Sequence, residues 1–217
     1  REEITTELAE AFNCLTGVSK FPEMKELLVA PFNLFAAFEK LIDAEIAHAK
    51  AGRPCGIYVK VNALVEEKII EALYRASTAG VPIRLLVRGM CALRPGLPGV
   101  SENIEVRSIV GRFLEHSRIY RFENGGDPKI YLGSADWMPR NLFRRVETVF
   151  PVFTPGMKEH VDEILDWFWR DTAKAKVLQP DGTYKPRGPE VPAFDAQAEF
   201  IAEAQRQRKR KVAAAAA

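Results

Sequence analysis

The stretch GIYVKVNALVEEKIIEALYRASTAGVPIRLLVR, residues 56–88, decides the fold. Its opening, GIYVKVNAL (56–64), is rich in β-branched and aromatic residues and reads as a strand. Val65, Ile69, Ile70, Leu73 and Ala76 then recur at helical spacing until Gly80 stops the pattern. PIRLLVR (82–88) is a second strand. Strand, helix and strand within about thirty residues make a βαβ unit, which requires parallel pairing and a right-handed crossover. The chain is therefore expected to be α/β, with helices covering a sheet.

Outward from this unit the pattern continues. Upstream, Leu34, Phe35, Phe38, Leu41, Ile42, Ile46 and Ala49 predict an amphipathic helix over 32–51, with Gly52 as its stop. Downstream, GMCALRPGLPGVSEN (89–103) is a Gly- and Pro-dense loop directly after a strand's C-terminal end, where binding loops commonly sit. IEVRSIV (104–110) reads as a strand, and RIYRF (118–122) with KIYLG (129–133) flank the hairpin signal Asn124-Gly125-Gly126-Asp127. RRVETVFPVF (144–153) makes one more strand. A final amphipathic helix over 156–171 places Val161, Ile164, Leu165 and Phe168 on one face, with Trp167 and Trp169 read as packing residues. After Leu178 the composition shifts to QPDGTYKPRGPEVP and then to a weakly helical stretch ending in QRQRKRK, read as a solvated arm. The expected organisation is an N-terminal linker segment (1–30), one α/β domain (31–175) and a Pro- and charge-rich C-terminal arm (176–217).

With 217 residues, 47% of them hydrophobic, the chain can bury one substantial core. A net charge of +2 excludes a protein that coats nucleic acid through a generally basic surface, so any anion site must be local. Cys14, Cys55 and Cys91 are widely spaced and odd in number, with neither a CxxC nor a metal-ligand pattern, and read as reduced cytosolic thiols. No apolar run approaches the roughly 18 residues that span a bilayer. The start, REEITTEL, lacks the apolar region of a signal peptide, so a soluble protein is expected. The first residue, Arg1, and the closing KVAAAAA read as the ends of an excised piece.

The chemistry is local and cationic. From Arg84 to Arg145 the chain carries ten arginines against one lysine, Lys129. Guanidinium groups grip phosphate bidentately where ammonium acts as a point charge, so this bias suits a site that orients phosphates. His116 lies in FLEHSRIYRF, where strand alternation puts it on the same face as Arg118, an imidazole beside a fixed positive charge. Such an imidazole can attack phosphorus or move a proton while an arginine neutralises the equatorial oxygens. Gly133-Ser134-Ala135-Asp136 returns on the hairpin, and Arg145 and Glu147 share a strand face in the next segment. Ser134 can donate to a phosphate oxygen, and Lys60 and Asn62 alternate onto one strand face as further pocket residues. His48, on a helix, and His160, near the last helix's start, are read as structural. Neither a Walker-type nor a kinase-type glycine-rich loop is present.

His116-x-Arg118 followed by Gly133-Ser134-Ala135-Asp136 resembles the HxK…GSxN motif of the phospholipase D superfamily, with Glu123 at the place of that motif's acidic residue. More specifically, VRGMCALRPGLPGVSENIEVRSIVGRFLEHSRIY and YLGSADWMPRNLFRRVE resemble the C-terminal catalytic domain of the bacterial polyphosphate kinase family, densely from about Asn13 to Phe153. The resemblance implies a phospholipase-D-like mixed β-sheet flanked by helices. It implies reversible transfer of the terminal phosphate of ATP to polyphosphate, with Mg²⁺, through a phosphohistidine. His116 then matches the histidine of the second of two phospholipase-D-like halves, a catalytic partner and not the residue usually assigned as phosphorylated. Arg88 and Arg145 match positions that hold nucleotide phosphates, and Glu147 matches a carboxylate that orients the histidine. No metal ligand is assigned.

No HxK segment supplies the first half's histidine, since His48, though it reads HAK, falls in a predicted helix. The resemblance therefore implies missing partners: N-terminal domains, the first catalytic half, and a homo-oligomeric full-length enzyme. It implies a cytoplasmic location, with peripheral attachment to the inner membrane as the variant, and no nucleic-acid partner. Two other readings stay open. One is a phospholipase-D-like phosphodiesterase that pairs two copies of His116, against which Arg118 for lysine and Asp136 for asparagine both count. The other is a non-catalytic module binding polyphosphate or RNA, although QRQRKRK has no aromatic residues on which bases could stack.

Overall fold

The computed structural model describes residues 2–20, 24–188 and 193–215. Residue 1, residues 21–23, the 189–192 part of the Pro- and charge-rich stretch, and the 216–217 end of the alanine run lie outside the described residues. In chain order the elements are α1 (Glu2–Leu15), β1 (Leu28–Ala30), α2 (Leu34–Lys50), β2 (Ile57–Val61), α3 (Glu67–Thr78), β3 (Ile83–Val87), β4 (Ile104–Ile109) and β5 (Ile119–Phe122). They continue with β6 (Lys129–Gly133), α4 (Pro139–Phe143), β7 (Glu147–Pro151), α5 (Pro155–Arg170), β8 (Ala175–Leu178), β9 (Tyr184–Pro186) and α6 (Ala196–Ala215).

The expected βαβ unit lies at the centre of one mixed sheet of order β1-β7-β6-β5-β2-β3-β4-β8-β9 among the described residues. β2, β3 and β4 run parallel, and every other pairing is antiparallel. Strand alternation sorts the side chains into two cores. Ile57, Val59, Val61, Ile83, Leu85 and Val87 pack beneath α2 and α3, against Leu34, Phe38, Ile42, Ile69 and Leu73. On the opposite face Leu86, Ile109, Ile119 and Ile130 pack beneath α5, against Val161, Leu165, Phe168 and Trp169. Each such fully buried side chain contributes roughly 1.5–3 kcal/mol. Among the described residues no helix is long and apolar enough to cross a membrane.

Four segments differ from the sequence expectation. The stretch 1–30, read as linker, contains α1 and the strand β1, which pairs with β7. The start of the C-terminal arm is sheet: Lys176, Val177 and Leu178 pair with Lys185 and its neighbours in a hairpin, and β8 also pairs with β4. Its Pro- and Gly-rich composition masked this because the two strands are short and the turn between them carries Pro180 and Gly182. Strand β7 begins at Glu147, after a short helix α4 that Pro139 starts, so Arg145 precedes the strand and does not share its face with Glu147 by alternation. Likewise β5 begins at Ile119, so His116 and Arg118 lie just ahead of it.

Gly133 ends β6 against the backbone of β7. A Cβ there would stand 2.5 Å from the Thr148 carbonyl oxygen and 2.8 Å from Val149 Cα, atoms that cannot rotate away. Gly133→Ala is therefore expected to destabilise the protein by about 1–3 kcal/mol, read as a lower urea midpoint with an unchanged slope.

Candidate active site: an arginine-lined cavity at one end of the sheet

The C-terminal ends of the parallel strands face the same way as the start of β5, the end of β6 and the start of β7. Lys60 pairs with Ile119, Ile119 with Leu132, and Gly133 with Val149, so residues just beyond these positions converge. They enclose a cavity of ≈ 550 Å³ whose walls include Arg88, His116, Arg118, Ser134, Arg145 and Glu147, six of the residues singled out from sequence, whereas Lys60, also expected to line the pocket, does not reach this wall. Asn62, Asp136, Arg140 and Asn141 line it as well. Glu123, at the place of the motif's acidic residue, lies elsewhere: it forms an ion pair with Arg121 at the hairpin turn, at the other end of β5. His48 packs by Gly125 at that same remote turn.

Arg118 differs from the role expected for it as a phosphate ligand. Its Nε and Nη2 donate to the two carboxylate oxygens of Asp136, at 3.2 and 2.9 Å, a bidentate pair with both side chains largely buried. Its Nη1 donates to the His116 carbonyl at 3.0 Å and lies 2.9 Å from His116 Nδ1. The guanidinium is thus committed inside the protein. Arginine for lysine and aspartate for asparagine, the two departures from the HxK…GSxN pattern, are each other's partners. Burial alone would raise the Asp136 pKa, but the Arg118 fork and the Asn62 backbone N–H, which donates at 2.7 Å, outweigh it and hold the carboxyl below its ordinary range.

The contact with His116 fixes a tautomer. Guanidinium has no acceptor, so Nδ1 must accept from Nη1, and the proton of the neutral ring resides on Nε2. Nε2–H is a donor, and Nε2 is not a free nucleophile in this state. Glu147 plays a different part from the expected one of orienting the histidine, since no hydrogen bond joins the two. Its Oε2 accepts from Ser134 Oγ at 2.5 Å and its Oε1 accepts from Asn141 Nδ2. The buried carboxylate instead pins Ser134, whose Oγ also accepts from the Thr148 backbone N–H at 3.2 Å.

His116 itself is exposed, but both its neighbours are anchored. Lys60 Nζ donates to Ser117 Oγ at 2.8 Å and pairs with Glu115 at 3.3 Å. Burial pulls the Lys60 pKa down, the Arg88 and Arg118 charges push the same way, and Glu115 partly restores it. Gln197, at the start of α6, accepts from the Phe113 N–H at 3.0 Å and donates to the Phe113 carbonyl at 2.9 Å and to Glu115 Oε1. Gly111 leaves room for this clamp, because a Cβ there would meet Gln197 Oε1 at 2.6 Å. Sequence reasoning missed Gln197, Glu115 and Asn141, whose residue types carry no pattern and whose partners lie far along the chain.

The cavity's remaining cations are free. Arg88, Arg140 and Arg145 make no side-chain hydrogen bond or ion pair among the described residues, and Arg88 Nη1 is buried without a partner. Other arginines of the sequence excess serve packing: Arg107 lies 3.7 Å from the Trp169 ring centroid and pairs with Glu105, and Arg121 pairs with Asp162. The wall thus offers three unpaired guanidinium groups, one Nε2–H imidazole and two carboxylates already engaged by donors. Among the described residues no three His, Cys, Asp or Glu side chains converge to hold a metal ion.

Comparison with known proteins gives a consistent result. The family described as polyphosphate kinase C-terminal domain 2 matches residues 27–197. The chain is 55% identical to a polyphosphate kinase of Pseudomonas aeruginosa over 183 residues, covering 84% of this chain and 26% of that protein. It therefore spans about a quarter of the length of the curated relatives it matches. A polyphosphate kinase structure from Porphyromonas gingivalis superposes with a TM-score of 0.92 at 36% identity, covering 96% of this chain and 32% of that one. A phospholipase D family member from Salmonella typhimurium shares the fold, with a TM-score of 0.53 at 14% identity over 71% of this chain and 97% of that one.

Proposed function

The chain belongs to the polyphosphate kinase family, through its C-terminal domain 2, and from that premise we propose that it forms one half of a site transferring phosphate reversibly between ATP and polyphosphate. The reading rests on one convergence: three unpaired guanidinium groups and an Nε2–H imidazole in a single cavity at the strand ends. Phosphoryl transfer asks the protein mainly for positioning and for charge stabilisation of the equatorial oxygens. Arg88, Arg140 and Arg145 supply that charge, Ser134 is held at the wall by Glu147, and His116 donates Nε2–H to a phosphate oxygen as charge develops there. The γ-phosphoryl leaves the ADP oxygen for a histidine nitrogen, and a terminal polyphosphate oxygen then takes it from that nitrogen. That nucleophile belongs to the other phospholipase-D-like half, because His116 presents a protonated Nε2 and among the described residues no carboxylate bonds its ring.

Mg²⁺ belongs with the nucleotide in this reading. Asp136 and Glu147 are held by donors at both oxygens, and among the described residues no three His, Cys, Asp or Glu side chains converge, so the cavity does not fit a protein-built octahedral magnesium site. The remaining partners are the rest of the chain seen in full-length relatives, a homo-oligomer of that enzyme, and a cytoplasmic setting where ATP is supplied. A phospholipase-D-like phosphodiesterase is disfavoured by the same tautomer, since that chemistry asks its histidine to attack phosphorus.

Titration calorimetry of the chain with Mg-ATP, together with assays on a bis-nitrophenyl phosphodiester, separates these readings. We expect saturable Mg-ATP binding, weakened at least tenfold in the Arg140→Ala/Arg145→Ala double variant, and no phosphodiester cleavage. Cleavage lost on His116→Ala, or binding indifferent to both arginines, would overturn the assignment.

A further inference from the structure

His116 sits on a connection that no regular element holds. β4 ends at Ile109 and β5 begins at Ile119, and among the described residues none of 111–117 makes a backbone–backbone hydrogen bond. Side chains from elsewhere hold it instead. Lys60 reaches Ser117 at both its hydroxyl and its carbonyl, and Arg118 reaches the His116 carbonyl. Gln197 of α6 takes both backbone groups of Phe113 and one oxygen of Glu115. Ahead of Glu115, it is the one hydrogen-bonding anchor of this connection among the described residues.

The anchor is itself well fixed. Gln197 is only 5% exposed. The Phe113 N–H needs an acceptor and its carbonyl a donor, so the amide can face this backbone in one orientation only, which leaves its second N–H for Glu115 Oε1. The start of α6 is seated on the body: buried Asp171 accepts from the Ala196 N–H at 2.9 Å and from the Lys174 and Ala175 N–H groups at 2.7 and 2.9 Å. Phe200, one turn on, packs with its ring centroid 5.0 Å from those of Trp167 and Phe168. Glu115 passes the constraint along, because its other oxygen pairs with buried Lys60, which holds Ser117. Phe113, Glu115 and Ser117 are thus tied as alternate residues, and His116, between the last two, lines the cavity.

Resting on the reading in which His116 donates to a phosphate oxygen, we infer that Gln197 is a positioning residue for phosphoryl transfer: by gripping Phe113 and Glu115 it fixes where His116 points. Gln197 does not line the cavity, so it acts through the histidine. A proton donor works only within hydrogen-bond reach of the oxygen that gains charge, and a displacement of about 1 Å is enough to lose most of its effect. The arginines that grip nucleotide stand on other elements and keep their places. Phe113 is 49% exposed, so its N–H and carbonyl can turn to water when the amide is gone. The fold therefore tolerates the loss of Gln197, and the placement of His116 does not.

The test is a double-variant cycle on polyphosphate synthesis, with this chain placed in register within a full-length relative. Gln197→Ala removes the amide, and Gly111→Ala displaces it from the other side, since a Cβ there would stand 2.6 Å from its Oε1. Gln207→Ala, which removes an exposed amide from the same helix, is the control. We expect kcat to fall about 10- to 100-fold in Gln197→Ala and in the same direction in Gly111→Ala, with KM for Mg-ATP held within about twofold and Gln207→Ala near wild type. In a His116→Asn background Gln197→Ala should cost nothing more, because the group it positions is already gone. The inference is overturned if kcat survives both substitutions, if KM rises while kcat holds, or if the losses from Gln197→Ala and His116→Asn multiply. Should Gln197→Ala fail to accumulate as folded protein, Gly111→Ala takes its place in the cycle with the same outcomes. If His116→Asn itself keeps wild-type synthesis, the functional reading falls, and the inference with it.

Discussion

Asp136→Ala is expected to destabilise the protein by about 3–5 kcal/mol, the usual cost of stranding one partner of a buried ion pair. The side chains of Arg118 and Asp136 are only 13% and 8% exposed, so water cannot readily take over the lost hydrogen bonds. Urea denaturation at neutral pH measures the loss. Replacing both partners with apolar residues, as in Arg118→Met/Asp136→Leu, is expected to recover most of the stability, because no uncompensated charge remains. It cannot restore the donor to His116 Nδ1, so stability and His116 chemistry come apart in this variant. The pH dependence has a fixed sign. The folded Asp136 pKa lies below its unfolded value, so its contribution is complete above the ordinary aspartate value of about 3.9 and is lost as pH falls through the lower folded value. The wild type should lose this increment on acidification, and Asp136→Ala should have none of it to lose.

Arg88→Ala carries the largest expected effect on binding. Its Nη1 is buried without a partner, its guanidinium lines the cavity, and it follows β3 directly, where the strand fixes its backbone. Losing a charge-assisted, bidentate contact costs about 2–3 kcal/mol, or on the order of 100-fold in Mg-ATP affinity. Arg88→Lys should restore only part of it, because ammonium lacks the planar fork. Stability should hold or rise in Arg88→Ala, since the substitution removes an unpaired buried nitrogen and relieves Lys60 of a neighbouring charge. Lost binding without lost stability is the signature that separates a ligand-gripping arginine from a structural one.

Much of the fold and of the site is legible in the amino-acid sequence, for physical reasons that differ by residue. The βαβ unit announces itself because its hydrophobic period changes from two to about 3.6 and back within one stretch, and Gly80 marks the turn. The six site residues meet in one cavity because they lie at strand ends, which the run of strands and loops locates. What alternation cannot report is where a strand begins. His116 and Arg118 precede β5, and Arg145 precedes β7, so their convergence owes nothing to the pleat and depends on contacts formed at a distance. Residue type also misleads: Arg118 has the chemistry of a phosphate ligand, but Asp136 occupies its fork, and Glu147 has the chemistry of a histidine's partner, but Ser134 and Asn141 occupy its oxygens. Gln197 illustrates the limit, for it anchors the loop before His116 from 84 residues away.

In this mechanism His116 assists phosphoryl transfer without itself becoming phosphorylated. The most direct measurement places this chain, wild type or His116→Asn, in register within a full-length relative, and follows both polyphosphate synthesis and acid-labile phosphohistidine after incubation with γ-labelled ATP. The isolated chain should take up no label. In the full-length setting the His116→Asn variant should lose synthesis by roughly 100-fold or more, as expected for a removed proton-donating group, while a phosphohistidine still forms at the other half. Label on His116, in the isolated chain or in the full-length protein, would make His116 itself the nucleophile and rule out its role as donor.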